Sequence, residues 1–98
     1  KPISDFPSSY RDLSFSIISP LKIKQVINIL SKIESDIIKY SFMFDFYENK
    51  QNNESKIGYR FIFQSYRGTL TDIEINKEIK KITDSVLLID SVSLPGSQ

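Results

Sequence analysis

Residues 37–66, IIKYSFMFDFYENKQNNESKIGYRFIFQSY, decide how this chain is read. The first part, 37–47, alternates. Ile38, Tyr40, Phe42, Phe44 and Phe46 fall in one phase; Lys39, Ser41, Met43, Asp45 and Tyr47 fall in the other. A period of two is that of a β-strand, whose successive side chains leave opposite faces. Residues 48–55 are polar throughout and predict a hairpin loop. Over 56–66 the alternation resumes, with Ile57, Tyr59, Phe61 and Phe63 set against Gly58, Arg60, Ile62 and Gln64.

Working outward, residues 1–10 carry Pro2, Pro7 and the Ser8-Ser9 pair and read as a loop. Residues 11–18 alternate again, with Leu13, Phe15 and Ile17 opposed to Asp12, Ser14 and Ser16. Ser19-Pro20 suits an N-cap followed by a proline at the first helical position. Ile23, Val26, Ile27 and Leu30 then follow helical spacing. Downstream, Thr71 with Glu74 three residues later predicts a capping box. Ile75, Ile79, Ile82 and Val86 predict the helix behind it. A last loose alternation over 88–94 ends at Pro95-Gly96.

The order β-α-β-β-α-β predicts an α+β fold, a ferredoxin-like sandwich of one four-stranded antiparallel sheet with two helices on one face. The apolar phase is expected beneath the helices: Phe15, Phe42, Phe44, Phe46, Tyr59, Phe61 and Phe63. Leaving it wet would forfeit many kcal/mol at about 25 cal/mol per Å². The other face, with Asp12, Ser14, Ser16, Lys39, Ser41, Asp45, Arg60 and Gln64, is expected to meet solvent.

The chain has 98 residues, a formal net charge of +1 and 26% charged residues, the size and balance of one globular domain with its core over 11–94. The absence of an initiator Met at Lys1 reads as a fragment of a longer chain. No apolar run approaches the roughly 20 residues that span a bilayer, so no membrane partner is expected. There is no Cys, His, Trp or Ala. The missing Cys and His exclude a disulfide framework, a thiolate nucleophile, a Ser-His-Asp triad and the HExxH metal site. Sixteen Ile and ten Lys against three Arg follow AT-rich codons, and point to an organelle or an AT-rich bacterium.

Catalysis within these residues has little to work with. The glycines Gly58, Gly68 and Gly96 are scattered and form no phosphate-cradling loop. Asp12 and Asp45 either meet as paired carboxylates on the open face, or pair with Arg60 or stay solvated. Asp72, Glu74 and Glu78 lack metal-loop spacing, so no metal site is expected. RNA binding is the stronger candidate, since four strands with one open face is an architecture used by RNA-recognition modules. Any base stacking would fall to exposed rings such as Tyr10, Tyr47 or Tyr66, because Tyr59, Phe61 and Phe63 are needed for the core. The lysine clusters Lys77, Lys80, Lys81 and Lys22, Lys24, Lys32 are either phosphate contacts or ordinary solvated helix faces.

Several short pieces in order carry a family resemblance: Phe6-Pro7, Arg11-Asp12-Leu13-Ser14-Phe15, Phe44-Asp45-Phe46-Tyr47, Gly58-Tyr59-Arg60, Phe63-Gln64, Thr69-Leu70-Thr71-Asp72, Glu74-Ile75-Asn76 and Ser93-Leu94. Over roughly residues 4–94 the sequence resembles the ferredoxin-fold anticodon-binding domain at the C-terminal end of the phenylalanyl-tRNA synthetase beta chain. The resemblance implies docking on the anticodon stem-loop of phenylalanine tRNA. Aminoacylation with ATP and magnesium would occur elsewhere in the parent ligase, and no cofactor would bind here. It also implies an alpha-subunit partner in an alpha2beta2 heterotetramer. The Thr-Leu-Thr-Asp-x-Glu wording fits the beta chain better than the single-chain mitochondrial form. With the composition, this points to a plastid beta chain, the alternatives being an AT-rich bacterium or a mitochondrion.

Where the family closes its last strand with Leu-Arg, this chain has Leu94 followed by Pro95-Gly96-Ser97-Gln98, so a phosphate contact by that arginine is either lacking here or replaced by Arg67 or a lysine. On the open face, Arg60 and Gln64 are expected to donate to bases or phosphate, Asp12, Ser14 and Ser16 to offer acceptors and small donors, and Lys39 to add a charge. The competing structural reading makes Asp12 and Arg60 a cross-strand ion pair. The competing functional reading is a protein-interaction or small-molecule regulatory module of the same fold.

Overall fold

A computed structural model describes residues 7–94. Strands β1 (Ser9–Ile17), β2 (Ile38–Asn49), β3 (Glu54–Phe63) and β4 (Val92–Ser93) form one sheet in the order β2-β3-β1-β4. Every neighbouring pair is antiparallel. Helix α1 (Ile23–Ser31) carries the chain from β1 across β3 to β2, and α2 (Asp72–Leu87) carries it from β3 across β1 to β4. This is the α+β ferredoxin-like arrangement expected from the element order. No helix among the described residues is long and apolar enough to cross a membrane.

The core joins four elements. Phe15 and Ile17 come from β1, and Ile57, Tyr59, Phe61 and Phe63 from β3. Val26 and Leu30 come from α1, and Ile75, Ile82 and Val86 from α2. These are the alternating and helical positions read from the sequence. The Tyr59 and Phe61 rings lie 5.5 Å apart in a tilted arrangement.

Strand β2 departs from its expected phase. It uses 12 residues to run beside the 10 of β3, and the two extra residues form bulges at Lys39 and Phe44. Residues facing each other across an antiparallel pair project from the same face. Ile38 faces the buried Phe63, as expected. After the first bulge, Tyr40 faces Ile62 and Phe42 faces Arg60, on the open side, while Ser41 and Met43 face Phe61 and Tyr59 on the helix side. After the second bulge, Phe46 faces Ile57 and the original phase returns. One inserted residue reverses every side chain beyond it, and a second restores them. Tyr40, Phe42 and Phe44 are therefore not core residues, and Ser41 is not on the open face. Phe46 does lie on the helix side, yet it is 46% exposed because β2 is the sheet edge beyond the helices' cover.

The ends of elements show smaller differences. Ser19 makes no side-chain cap. Its carbonyl accepts from the Lys22 N–H at 2.9 Å, and Pro20–Lys22 is a 3-10 turn leading into α1. The β2–β3 loop shortens to four residues, 50–53, because pairing extends to Asn49 and Glu54. Asn53 closes it at φ 55°, a left-handed conformation that asparagine tolerates. The last strand is two residues, with Leu88 exposed. The expected stop at Pro95-Gly96, the Pro2 loop and Phe6 lie outside the described residues.

Helix α2 begins as its sequence predicts. The Glu74 N–H donates to Thr71 Oγ1 at 3.2 Å, and the Thr71 N–H and hydroxyl donate to Glu74 Oε1 at 2.9 and 3.1 Å. Those bonds, the backbone one foremost, hold the Glu74 carboxyl below its ordinary 4.5. A lowered folded value stabilises the helix start at neutral pH and loses that contribution as pH falls below the ordinary glutamate range.

Two outcomes follow for equilibrium urea unfolding. Phe61→Ala is expected to lose about 3–5 kcal/mol with the slope unchanged, and Phe42→Ala clearly less, because only Phe61 is buried. Were Phe42 in the core, the two losses would match. Thr71→Ala is expected to lose about 1 kcal/mol at pH 7, with the difference from the parent chain shrinking once Glu74 is protonated below its folded value.

Candidate nucleic-acid interface

The open face is built around Arg60, at the middle of β3 and directly across from Asp12 on β1 and Phe42 on β2. The Arg60 Nε donates to Asp12 Oδ1 at 2.8 Å and Nη2 donates to Oδ2 at 2.9 Å. This two-pronged match of guanidinium to carboxylate fixes the plane of the arginine. The Asp12 hydrogen bond outweighs desolvation and holds the Arg60 pKa above its ordinary value, so the side chain stays charged. The Tyr10 ring lies against the guanidinium, its centroid 4.3 Å from Cζ, and the Phe44 ring lies 5.1 Å from the same atom. Both distances suit cation–π attraction. Beside them Tyr40 and Phe42 stack at 6.0 Å with 20° between their planes.

Gly58 makes room for this arrangement. A Cβ at that position would stand 3.0 Å from Phe44 Cζ and 3.1 Å from Asp45 Cβ. The bare backbone of β3 lets the bulged Phe44 fold across the neighbouring strand toward Arg60. Tyr10, Tyr40 and Phe44 are about half exposed and Phe42 somewhat less.

Asp12, Ser14 and Arg60 come together as expected from the sequence, Ser14 facing Gly58. The Asp12–Arg60 contact is the cross-strand ion pair of the competing structural reading. Ser16 sits lower on the same strand, between Lys56 and Ser93. It is buried, not solvent-facing as expected, and its hydroxyl donates to Glu54. Lys39 and Gln64 line a recess at the opposite end with Tyr66. Gln64 is half-buried, and its backbone N–H donates to the Ile37 carbonyl at 2.9 Å. Arg67 is exposed in the β3–α2 loop, in an adjoining recess that shares Asp36 and Tyr66 with the first and also takes in Thr69 and Glu74.

Asp45 faces Gly58 on β2, so β3 separates it from Asp12 by two strand spacings, about 10 Å before any offset along the strands. The two carboxylates do not form a pair. On α2, Lys80 pairs with Asp84 at 3.0 Å and Lys81 approaches Glu78 at 3.9 Å, the pattern of a solvated helix face. Arg11, on the helix side, ties β1 to the start of α2 through Asp72 at 3.2 Å.

Residues 4–89 match the model of the ferredoxin-fold anticodon-binding domain. The chain belongs to this family. Its relatives include the phenylalanine–tRNA ligase beta subunit of Dehalococcoides mccartyi strain CBDB1, 39% identical over 83 residues that make up 83% of this chain and 10% of the relative. The chloroplastic/mitochondrial phenylalanine–tRNA ligase of Arabidopsis thaliana is 30% identical over 88% of the chain and 20% of the relative. The chloroplastic beta subunit of Porphyra purpurea is 28% identical over 89% of the chain and 12% of the relative. The chain thus spans 10–20% of the length of these relatives.

The open-side residues that strict alternation does not reveal are Tyr40, Phe42 and Phe44. Strict alternation put them in the core. The available signal was Gly58, since an isolated glycine inside a strand marks a bulge or a close backbone approach, and both occur here.

Gly58→Ala is expected to leave the fold intact while pushing the end of the Phe44 ring away from Arg60. The measurement is the NMR shift of the Arg60 Nε–H, which should move as the ring current is withdrawn. An unmoved resonance would show that Phe44 does not depend on the missing Cβ.

Proposed function

We propose that this chain is the anticodon stem-loop-binding module of a phenylalanine–tRNA ligase beta subunit. It holds phenylalanine tRNA on the open sheet face while ATP- and magnesium-dependent aminoacylation proceeds in other parts of the enzyme, whose beta chain assembles with alpha subunits. The observation that carries this reading is the open face itself: in a chain of the anticodon-binding family, a four-stranded surface stays solvent-accessible and clusters exposed rings about a fixed arginine. Single-stranded loops are what proteins read on such surfaces, because their bases can be splayed out of the helix.

Charge sets the strength. A net charge of +1 gives little long-range attraction, so the module contributes modest affinity to a larger tRNA-binding enzyme. The isoleucine- and lysine-rich, alanine-free composition supports a plastid setting, in keeping with the chloroplastic relative.

Titrating the 98-residue chain with the anticodon stem-loop of phenylalanine tRNA tests the reading. Shift changes are expected at Tyr10, Asp12, Ser14, Tyr40, Phe42 and Arg60, with a Kd in the micromolar to millimolar range. The dependence of log Kd on log salt is expected to have a slope of about 1–2, that of one to three phosphate contacts. No binding at millimolar RNA, or shifts confined to the outer surfaces of α1 and α2, would overturn it.

A further inference from the structure

We infer that Arg60 is a positioning residue rather than a phosphate contact, and that the open face offers RNA the rings it organises. Tyr10 and Phe44 against the guanidinium, continued by Tyr40 and Phe42, form a stacking surface for unpaired bases. The inference rests on the RNA-binding reading above and says which chemical part of the loop the face takes.

Arg60 is the obvious basic residue of the face, yet it is poorly placed to hold a phosphate. Its Nε and Nη2 are already directed at both oxygens of Asp12. Together the two side chains carry no net charge, so little counterion release accompanies an approaching phosphate. What the fork supplies is a fixed flat plate, and two rings from the flanking strands lie against it. Tyr10 reaches it from β1 and Phe44 from β2, where the bulge and Gly58 bring the ring across. Tyr40 and Phe42 extend the apolar surface along β2.

All four rings keep 39–54% of their surface exposed. Aromatic area left open to water beside a neutralised cation suits a flat, uncharged partner, and a nucleobase is one. Each stacked base is worth roughly 5- to 150-fold in affinity and needs no particular sequence, because every base has a π face. Phosphate contacts then fall to exposed cations around this centre, such as Lys39 and Lys56.

The test compares two RNAs: the anticodon stem-loop of phenylalanine tRNA, and the same hairpin with its loop nucleotides made abasic. Each is titrated at several salt concentrations against the 98-residue chain and against Arg60→Met, Arg60→Lys, Tyr10→Leu and Phe44→Leu. The parent chain is expected to prefer the base-bearing loop by roughly 10-fold or more. Tyr10→Leu, Phe44→Leu and Arg60→Met are each expected to reduce that preference with the salt slope unchanged. Arg60→Lys should fail to restore it, since an ammonium cannot form the planar fork.

If Arg60→Met instead lowers the slope by about 0.7 and keeps the preference, Arg60 contacts phosphate and the inference fails. Should Arg60→Met not fold, the two ring variants at exposed positions decide, and an undiminished preference in both overturns the proposal. A parent chain that binds both hairpins equally well also overturns it while leaving RNA binding intact. Binding of neither hairpin overturns the RNA reading and this inference together.

Discussion

Strand β3 pairs on both sides, with β1 and with β2, so its alternation constrains every neighbour. Ile57, Tyr59, Phe61 and Phe63 bury one phase of that strand against α1 and α2. The opposite phase is thereby committed to the open side: Lys56, Gly58, Arg60 and Ile62. The Asp12–Arg60 pair and the placement of Tyr10 follow from the β1 register, in which Asp12 faces Arg60 and Tyr10 faces Ile62. Hydrophobic burial on one face of a single strand thus sets the register that the candidate site uses on the other.

Much of this was legible in the sequence because simple periodicity sufficed. Strands β1 and β3 alternate without interruption, α2 announces itself by Thr71 and Glu74, and the element order implies the sheet. Asp12 opposite Arg60 was one of two open readings, and the register supports the structural one. What periodicity could not show is a change of register within a strand. The alternation of Tyr40, Phe42 and Phe44 looks the same whether or not a residue is inserted at Lys39. The outcome depends on how many residues β2 spends beside β3, which is a property of the pair. Ser16 is a similar case: it lies in the open phase of β1 yet is buried, donating to Glu54 and facing Ser93 of β4, partners that the alternation of β1 alone does not show.

The result is a sheet with two aromatic surfaces of different character. The rings of β3 and Phe15 are sealed beneath the helices, while those of β1 and β2 remain wet around an arginine whose charge is already matched. Such a face suits the proposed role, a local, base-directed contact added to those of a larger enzyme. The near-neutral surface agrees with that division of labour, because it gives the module little pull on RNA at a distance.

The bulges of β2 have one more consequence. An aromatic strand at the margin of a sheet displays a row of unpaired donors and acceptors, a template on which another chain can assemble into fibrils. Inserting Lys39 and Phe44 breaks the regular spacing of that row at two places and sharpens the local twist. The insertion at Lys39 that turns Tyr40 and Phe42 toward solvent therefore also interrupts, together with the one at Phe44, the margin on which another chain would pair.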